Sequence, residues 1–402
     1  MSSKINYKNK YLKYKKKYLE YKNGGNTQKY AIVMLCMLKD HYVLGACISS
    51  YAHRQFIKNT NMNIELVIMC DDYIFDLHES TLKEYFDKVI KIDLLKFDIS
   101  DEYKVISKYN WINVSTNKWQ VLKFIEYDKV LFLDIDMIPV NAKFYNIFDF
   151  DVPAVRYIKH YSNDIIDTGC INNSVLNDNI EKYDDFSNYI KSVKPESLDG
   201  GIVLLKPNIE MYEEYVDFIK KTFAKGMYST HKSGSDETTL YYFLTHEKDV
   251  KVHKICTEYA VVPWDVPAND PNKYIENALL YNYLSYVKPW YKPLFFEWDE
   301  EMLWRDIYDA MPHRGNIEVL FKTVLVESYD NAMILKNAKN FNFKKRYNMK
   351  LYYKNANAID RINSITNFNE KYNAIINLEN KLRVGHNYGI INVSKLLDVL
   401  KI

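Results

Sequence analysis

The chain is poor in glycine, and it has no glycine-rich loop. Eleven glycines occur in 402 residues, and neither G-x-G-x-x-G nor G-K-[ST] is present. That excludes a dinucleotide fingerprint and a P-loop cradle for phosphates. Cysteine is equally sparse: Cys36, Cys47, Cys70, Cys170 and Cys256, none spaced C-x-x-C. This excludes the usual zinc and dithiol patterns, and the apolar neighbours in VMLCML and LVIMCDD predict reduced, buried thiols of a cytosolic compartment. No run approaches the ~18 apolar residues of a membrane span. The first residues carry no apolar core of a secretory signal, so a cytoplasmic, non-secreted protein is expected. Charge of one sign is also lacking. Lys plus Arg number 54 against 52 Asp plus Glu, a net +2, which argues against a general nucleic-acid binder.

What is present is ordinary globular material, 48% hydrophobic and 26% charged. The length allows one large domain with additions, or two domains. Tyr7, Tyr11, Tyr14, Tyr18 and Tyr21 fall on one helical face among lysines, and Asn23-Gly24-Gly25-Asn26 breaks the pattern. This predicts a basic helix over 1–25, either solvated or used for docking. Similar Lys/Tyr/Leu helices resemble those on many proteins of large DNA viruses, which would place the protein in host cytoplasm.

From residue 30 short apolar runs alternate with amphipathic stretches. AIVMLCML (31–38), ELVIMC (65–70), KVIKIDLL (88–95) and KVLFLDID (129–136) read as strands, with helices expected over 40–58, 76–86 and 117–127. VPAVRYI (152–158), GIVLLKP (201–207) and ALLYNYL (278–284) read as further strands, and 208–225 and 236–246 as helices. Such alternation predicts an α/β fold with a mostly parallel central sheet covered on both faces. Its ligands would bind beyond the carboxyl ends of the strands. Residues 299–402 are polar and without strand signals, and are expected to form a helical C-terminal extension to a domain over 28–298.

The chemistry-bearing motif is LFLDIDMIP (131–139). Asp134 and Asp136 close a buried apolar strand, and burying two carboxylates is costly unless something binds them. If the strand continued, alternation would point both to one face; a slight turn would let them share one cation. Two carboxylates are hard oxygen ligands suited to Mn²⁺ or Mg²⁺. Asp149-Phe150-Asp151 has the same spacing without the apolar run before it, and it reads as a turn or surface pair. A D-x-D after a buried strand fits either haloacid-dehalogenase-like phosphatases or nucleotide-sugar transferases. The residues that follow, Met137, Ile138 and Pro139, and the late placement in the chain favour the second.

At these blocks the chain resembles glycosyltransferase family 8, the glycogenin-like enzymes, from about Tyr30 to Lys292. The resemblance implies a Rossmann-like domain of GT-A type and retaining transfer of a hexose, glucose first, from a UDP-sugar to a hydroxyl. The acceptor would be a protein, a glycan or the chain itself. By the same resemblance, AIVMLCMLKDHYVLGA (31–46) holds the nucleoside, with Leu35 in the first strand and Tyr42 stacked on uracil. NKWQVLKFIEYDKVLFLDIDM (117–137) brings Lys118 to the diphosphate and sugar, and places Asp134, Ile135 and Asp136 at the donor. In LDGGIVLLKP (198–207), Asp199 replaces the family's asparagine and Gly200 its small residue. In SGSDETTLYYFL (233–244), Asp236 lies beside the reacting sugar, with Glu237 where the family has glutamine. In NYLSYVKPW (282–290), Lys288 contacts phosphate, Ser285 replaces a glycine and Asn282 replaces the histidine that is the third metal ligand. The family's arginine before Lys118 counts back to Tyr109, with Lys108 beside it. Related enzymes are often homodimers. The alternatives are a non-catalytic UDP-sugar binder, prompted by Asn282, Ser285 and Glu237, and the phosphatase.

Overall fold

The computed structural model describes residues 28–96, 112–157, 171–176, 198–224, 235–261, 277–283, 288–291, 299–311, 314–337 and 356–383, with Phe186 and Tyr189. The expected helix over 1–25 and Lys108, Tyr109, Cys170 and Ser285 lie outside the described residues.

The described chain begins with β1 (Lys29–Cys36), α1 (His41–Ile57), β2 (Asn63–Cys70), α2 (Asp72–Lys83) and β3 (Lys88–Lys91). A 3₁₀ segment over Ile112–Lys123 leads to β4 (Lys129–Leu133), β5 (Met137–Pro139) and β6 (Ala154–Tyr157). Then come β7 (Leu198–Leu205), α3 (Ile209–Ala224), α4 (Ser235–Tyr242), β8 (His253–Ile255) and β9 (Leu280–Asn282). Four helices follow: α5 (Asp299–Ala310), α6 (Gly315–Asn337), α7 (Ala356–Asn363) and α8 (Phe368–Arg383).

The main sheet runs β3-β2-β1-β4-β7-β6-β8, and β5 and β9 form a separate antiparallel ribbon. β1 pairs in parallel with β2 and β4, β2 with β3, and β6 with β8; β4–β7 and β6–β7 are antiparallel. The sheet is therefore mixed and mostly parallel, as the continuous apolar strands predict. The chain winds outward from β1 through β2 to β3, then returns to the other side of β1 as β4. That reversal opens a crevice at the carboxyl ends of β1 and β4.

Side-chain alternation along each strand divides the interior into two cores. Ile32, Met34, Leu131, Leu133, Ile202 and Leu204 face one core with α1. Ala31, Val33, Val130, Phe132, Val203 and Leu205 face the other with the 3₁₀ segment, α3 and α4. Each fully buried side chain of this size contributes about 1.5–3 kcal/mol. The C-terminal helices complete the first core: Trp304, Ile307, Phe321, Leu325 and Tyr329 belong to the same cluster as Ile32 and Met34.

Four local expectations change. The stretch expected to be a helix over 117–127 is a 3₁₀ segment, because Asn117 uses its side chain on backbone. Its Nδ2 donates to Leu95 O at 2.9 Å and Val114 O at 2.8 Å, and its Oδ1 accepts from Leu95 N at 2.8 Å; such bonding competes with helix geometry. β4 ends at Leu133, before the acidic pair. β8, a three-residue strand of half-polar sequence, carries no periodic signal and was not expected. Cys36, Cys47 and Cys70 are buried free thiols as expected, but Cys256 is disulfide-bonded. Among the described residues no helix is long and apolar enough to cross a membrane.

Candidate active site

Just beyond β4, Asp134 N–H donates to Gly201 O at 2.9 Å, which fixes it beside β7. The chain then turns, and Asp136 O accepts from Tyr283 N at 3.0 Å, just past β9. The acidic pair is thus clamped from both sides at the crevice. Of the two geometries considered for the pair, the turn occurs, at Ile135 and Asp136, and each carboxylate meets its own lysine. Lys118 Nζ lies 3.1 Å from Asp134 Oδ1 and 2.8 Å from Asp236 Oδ2. Lys288 Nζ pairs with Asp136 and donates to Tyr283 O at 3.3 Å.

The 3₁₀ segment explains why Lys118 arrives there. Asn117 anchors the segment to Leu95. On the other flank, Trp119 Nε1 donates to Asp236 O at 3.0 Å, tying the segment to the first turn of α4. Glycines make room: a Cβ on Gly200 would lie 2.9 Å from Asp236 Oδ2, and one on Gly201 would lie 2.6 Å from Met137 Cε and 2.9 Å from Asp134 Oδ2. Asp199 accepts from Gly201 N at 2.8 Å through Oδ1, while Oδ2 pairs with Arg156 and lies 3.5 Å from Asn282 Nδ2.

The electrostatics follow from crowding of like charge. Burial opposes the charge on Lys118, but Asp134 and Asp236 outweigh it and hold the ammonium well above the usual lysine range. Burial pushes Asp134 up to about 6; Lys118 opposes the rise, while Asp136, Asp199 and Asp236 add to it. Asp236 is held low, since its burial is outweighed by Lys118 and by a hydrogen bond from Glu237. Glu237 is raised well above the carboxylate range by burial and by Asp236 beside it, so it is the neutral acid of that pair. Among the described residues, Asp134, Asp136, Asp199 and Asp236 face Lys118, Lys288 and Arg156.

Among the described residues no group of three His, Cys, Asp or Glu is arranged to hold a metal. The donor set present is Asp134 and Asp136, with Asn282 as the amide that follows in β9. Two hard carboxylates suit a divalent cation, and the amide oxygen of Asn282 is a weaker third donor than imidazole. Asp134 also keeps 37% of its side-chain surface open, enough for an approaching ligand.

Tyr42, in the first turn of α1, is partly buried against Trp290, with ring centroids 6.2 Å apart. Burial, then Asp136, Cys36 and Asp134, push its phenol up to about 12. Leu35 sits near the carboxyl end of β1, and Ile135 is buried in the turn between the two aspartates. Gly45 permits the contact between α1 and the loop carrying Lys288: a Cβ there would lie 2.5 Å from the Trp290 ring. Asp149 and Asp151 are exposed, as a surface pair should be. Sequence reasoning missed Arg156 and Trp119. An arginine inside VPAVRYI was the available signal, because a charge in a buried strand demands a carboxylate.

No protein-family model matches the chain. An uncharacterized protein of Acanthamoeba polyphaga mimivirus is 28% identical over 125 residues, 31% of this chain and 42% of that protein. The matched region thus spans less than half of the curated relative. Among solved structures, galactosyltransferase LgtC, crystallised with donor and acceptor sugar analogs, aligns at TM-score 0.39 and 15% identity over 70% of this chain and 96% of that one. Glycosyltransferase GlyE of Streptococcus pneumoniae aligns at 0.39 and 14%, over 76% and 64%. A glycosyltransferase involved in glycosylation of the major capsid of PBCV-1 aligns at 0.34 and 9%, over 64% and 94%. At these TM-scores none of the three decides what this chain does.

Proposed function

We propose that the protein is a metal-dependent retaining glycosyltransferase that moves a hexose, glucose first, from a UDP-sugar to an acceptor hydroxyl. The observation that carries this reading is the meeting of Lys118 and Lys288 with Asp134, Asp136 and Asp236 at the carboxyl edge of the sheet. In this reading residues 28–298 form the catalytic domain and 299–402 a helical extension that shares its core.

Leu35 and Tyr42 bound the nucleoside pocket beside β1. Asp134 and Asp136, with Asn282, hold Mn²⁺ or Mg²⁺. When bound, that ion neutralises the diphosphate of the donor. As the sugar–phosphate bond breaks, charge grows on the leaving UDP, and the ammonium groups of Lys118 and Lys288 stabilise it more than they stabilise the intact donor. To reach the phosphates they exchange part of their present pairing with Asp134 and Asp136, so the same lysines hold the site together before substrate arrives. Asp236, kept anionic by Lys118 and Glu237, faces the sugar as it gains positive character. Gly200 and Asp199 line the sugar's approach, and Asp199 is oriented by Arg156.

The test is a Mn²⁺-dependent screen of UDP release across UDP-sugars, with intact mass after incubation with UDP-glucose. Turnover of one donor is expected, and added hexose mass would identify the chain as its own acceptor. UDP binding with no turnover of any donor would favour the non-catalytic binder, which the exchange of histidine for Asn282 supports. Phosphate release from an aryl phosphate without UDP affinity would favour the phosphatase.

A further inference from the structure

Among the described residues two arginines are buried. Arg305 lies beside a cavity of about 390 Å³ among α5, α6 and α8. It pairs there with Glu379 at 3.1 Å, while its Nε and Tyr308 Oη find no hydrogen-bond partner. Arg156, 2% exposed, stands instead in β6, against β7.

The pairing of those two strands is irregular where it matters. Val155 pairs with Val203 and Arg156 with Asp199, so β6 passes over Gly200, Gly201 and Ile202. Irregularities of this kind re-aim side chains and gather beside functional sites. Here the shift sets the guanidinium on Asp199 Oδ2. A strand has no need of a buried cation at this position, since an apolar side chain would fill it without the cost of removing a charge from water.

The second partner of Asp199 gives the pair a use. Asp199 Oδ1 accepts from Gly201 N at 2.8 Å, and Oδ2 accepts from the guanidinium and from Asn282 Nδ2, the latter at 3.5 Å. Asn282 is 2% exposed, and its backbone pairs with Met137, the residue after Asp136. An amide has one donor end and one acceptor end, and a carboxylate takes only the donor. The bond to Asp199 therefore commits Nδ2 and leaves the carbonyl oxygen as the end available to a further partner. A turned amide would offer NH₂ instead, which ligates no cation.

We propose that Arg156 is a positioning residue: by fixing the Asp199 carboxylate, it keeps the Asn282 amide turned so that its oxygen serves as third donor with Asp134 and Asp136. This rests on the reading of that pair as a cation site.

Mn²⁺ binding to the full chain without donor or acceptor, read from the EPR signal of free Mn²⁺, tests it through a double-mutant cycle. Arg156→Met should weaken binding about tenfold more in the Asn282 protein than in the Asn282→Ala protein, the scale of losing an outer-shell partner. Asn282→Ala has no amide to turn, and comparing the two backgrounds cancels the plain electrostatic effect of removing a cation. Arg156→Met/Asp199→Asn repeats the cycle without a stranded carboxylate. An asparagine at 199 can offer either end of its amide, so the same coupling to Asn282 is expected. Equal effects in the two backgrounds would overturn the proposal and leave the cation site standing. No Mn²⁺ binding by the wild type, or binding unchanged in Asp134→Asn/Asp136→Asn, would overturn both.

Discussion

The crevice at the carboxyl edge of the sheet and the cavity among the C-terminal helices both bury charge, but they balance it differently. In the crevice, among the described residues, Asp134, Asp136, Asp199, Asp236 and Glu237 crowd around Lys118, Lys288 and Arg156. In the cavity, Arg305 pairs with Glu379, with side chains 4% and 3% exposed. Replacing a buried ion pair as a whole is often neutral, and only removing one partner is costly, whereas crowded carboxylates are tolerated where a cation or a charged substrate completes the set. The first arrangement belongs to a site tuned for charged chemistry, and the second to a structural centre with polar atoms to spare.

Substitutions can break that contrast. The largest effect is expected from Asp134→Asn with Asp136→Asn. UDP-sugar turnover should fall on the order of 10³-fold or more, and thermal stability should fall too, since Lys288 loses its carboxylate. A loss of stability with turnover retained would make the crevice a structural centre. Arg305→Met should act on stability instead. It takes the guanidinium away from buried Glu379, at a cost of up to about 3–5 kcal/mol in a urea melt, and adding Glu379→Leu should restore most of it.

His53 supplies a third case, a buried group kept neutral. It is fully buried, its Nδ1 lies 3.0 Å from Tyr145 Oη, and burial lowers its pKa to about 3. The unfolded chain takes up that proton near pH 6.5 and the folded chain only near 3, so stability is full above 6.5 and falls as the pH drops between those values. The expected loss is roughly 3 kcal/mol at pH 4, and His53→Gln should flatten that limb of the stability profile. Glu237→Gln should matter least. An amide replaces a neutral acid as donor to Asp236, so turnover should stay within about threefold of wild type, under ~1 kcal/mol of barrier. A large loss of turnover would mean that Glu237 acts as an anion.

The parts legible in the sequence were those carried by local pattern. Val33, Phe132 and Val203 sit in runs apolar enough to mark strands buried on both faces, and the abrupt acidity after Leu133 marked the edge of a site. The parts that were not legible depend on partners far along the chain. Arg156 makes sense only beside Asp199, and the Asn117 staple only beside Leu95. β8 was missed because three residues of mixed polarity have no period. The C-terminal helices were recognisable as helices, yet nothing local says that Trp304 and Phe321 pack into the same core as β1. The two lysines were placed by family resemblance, and their ion pairs could not have been read from spacing.

The missing side chain at position 45 has a consequence at a distance. Because the indole of Trp290 fills the space a methyl group would take on α1, the helix and the Lys288 segment are spaced by that one contact. An Ala there would wedge them apart, and the ammonium two residues before the indole would ride outward with it. Residue 45 therefore works as a shim that sets the gauge of the crevice without touching anything that enters it.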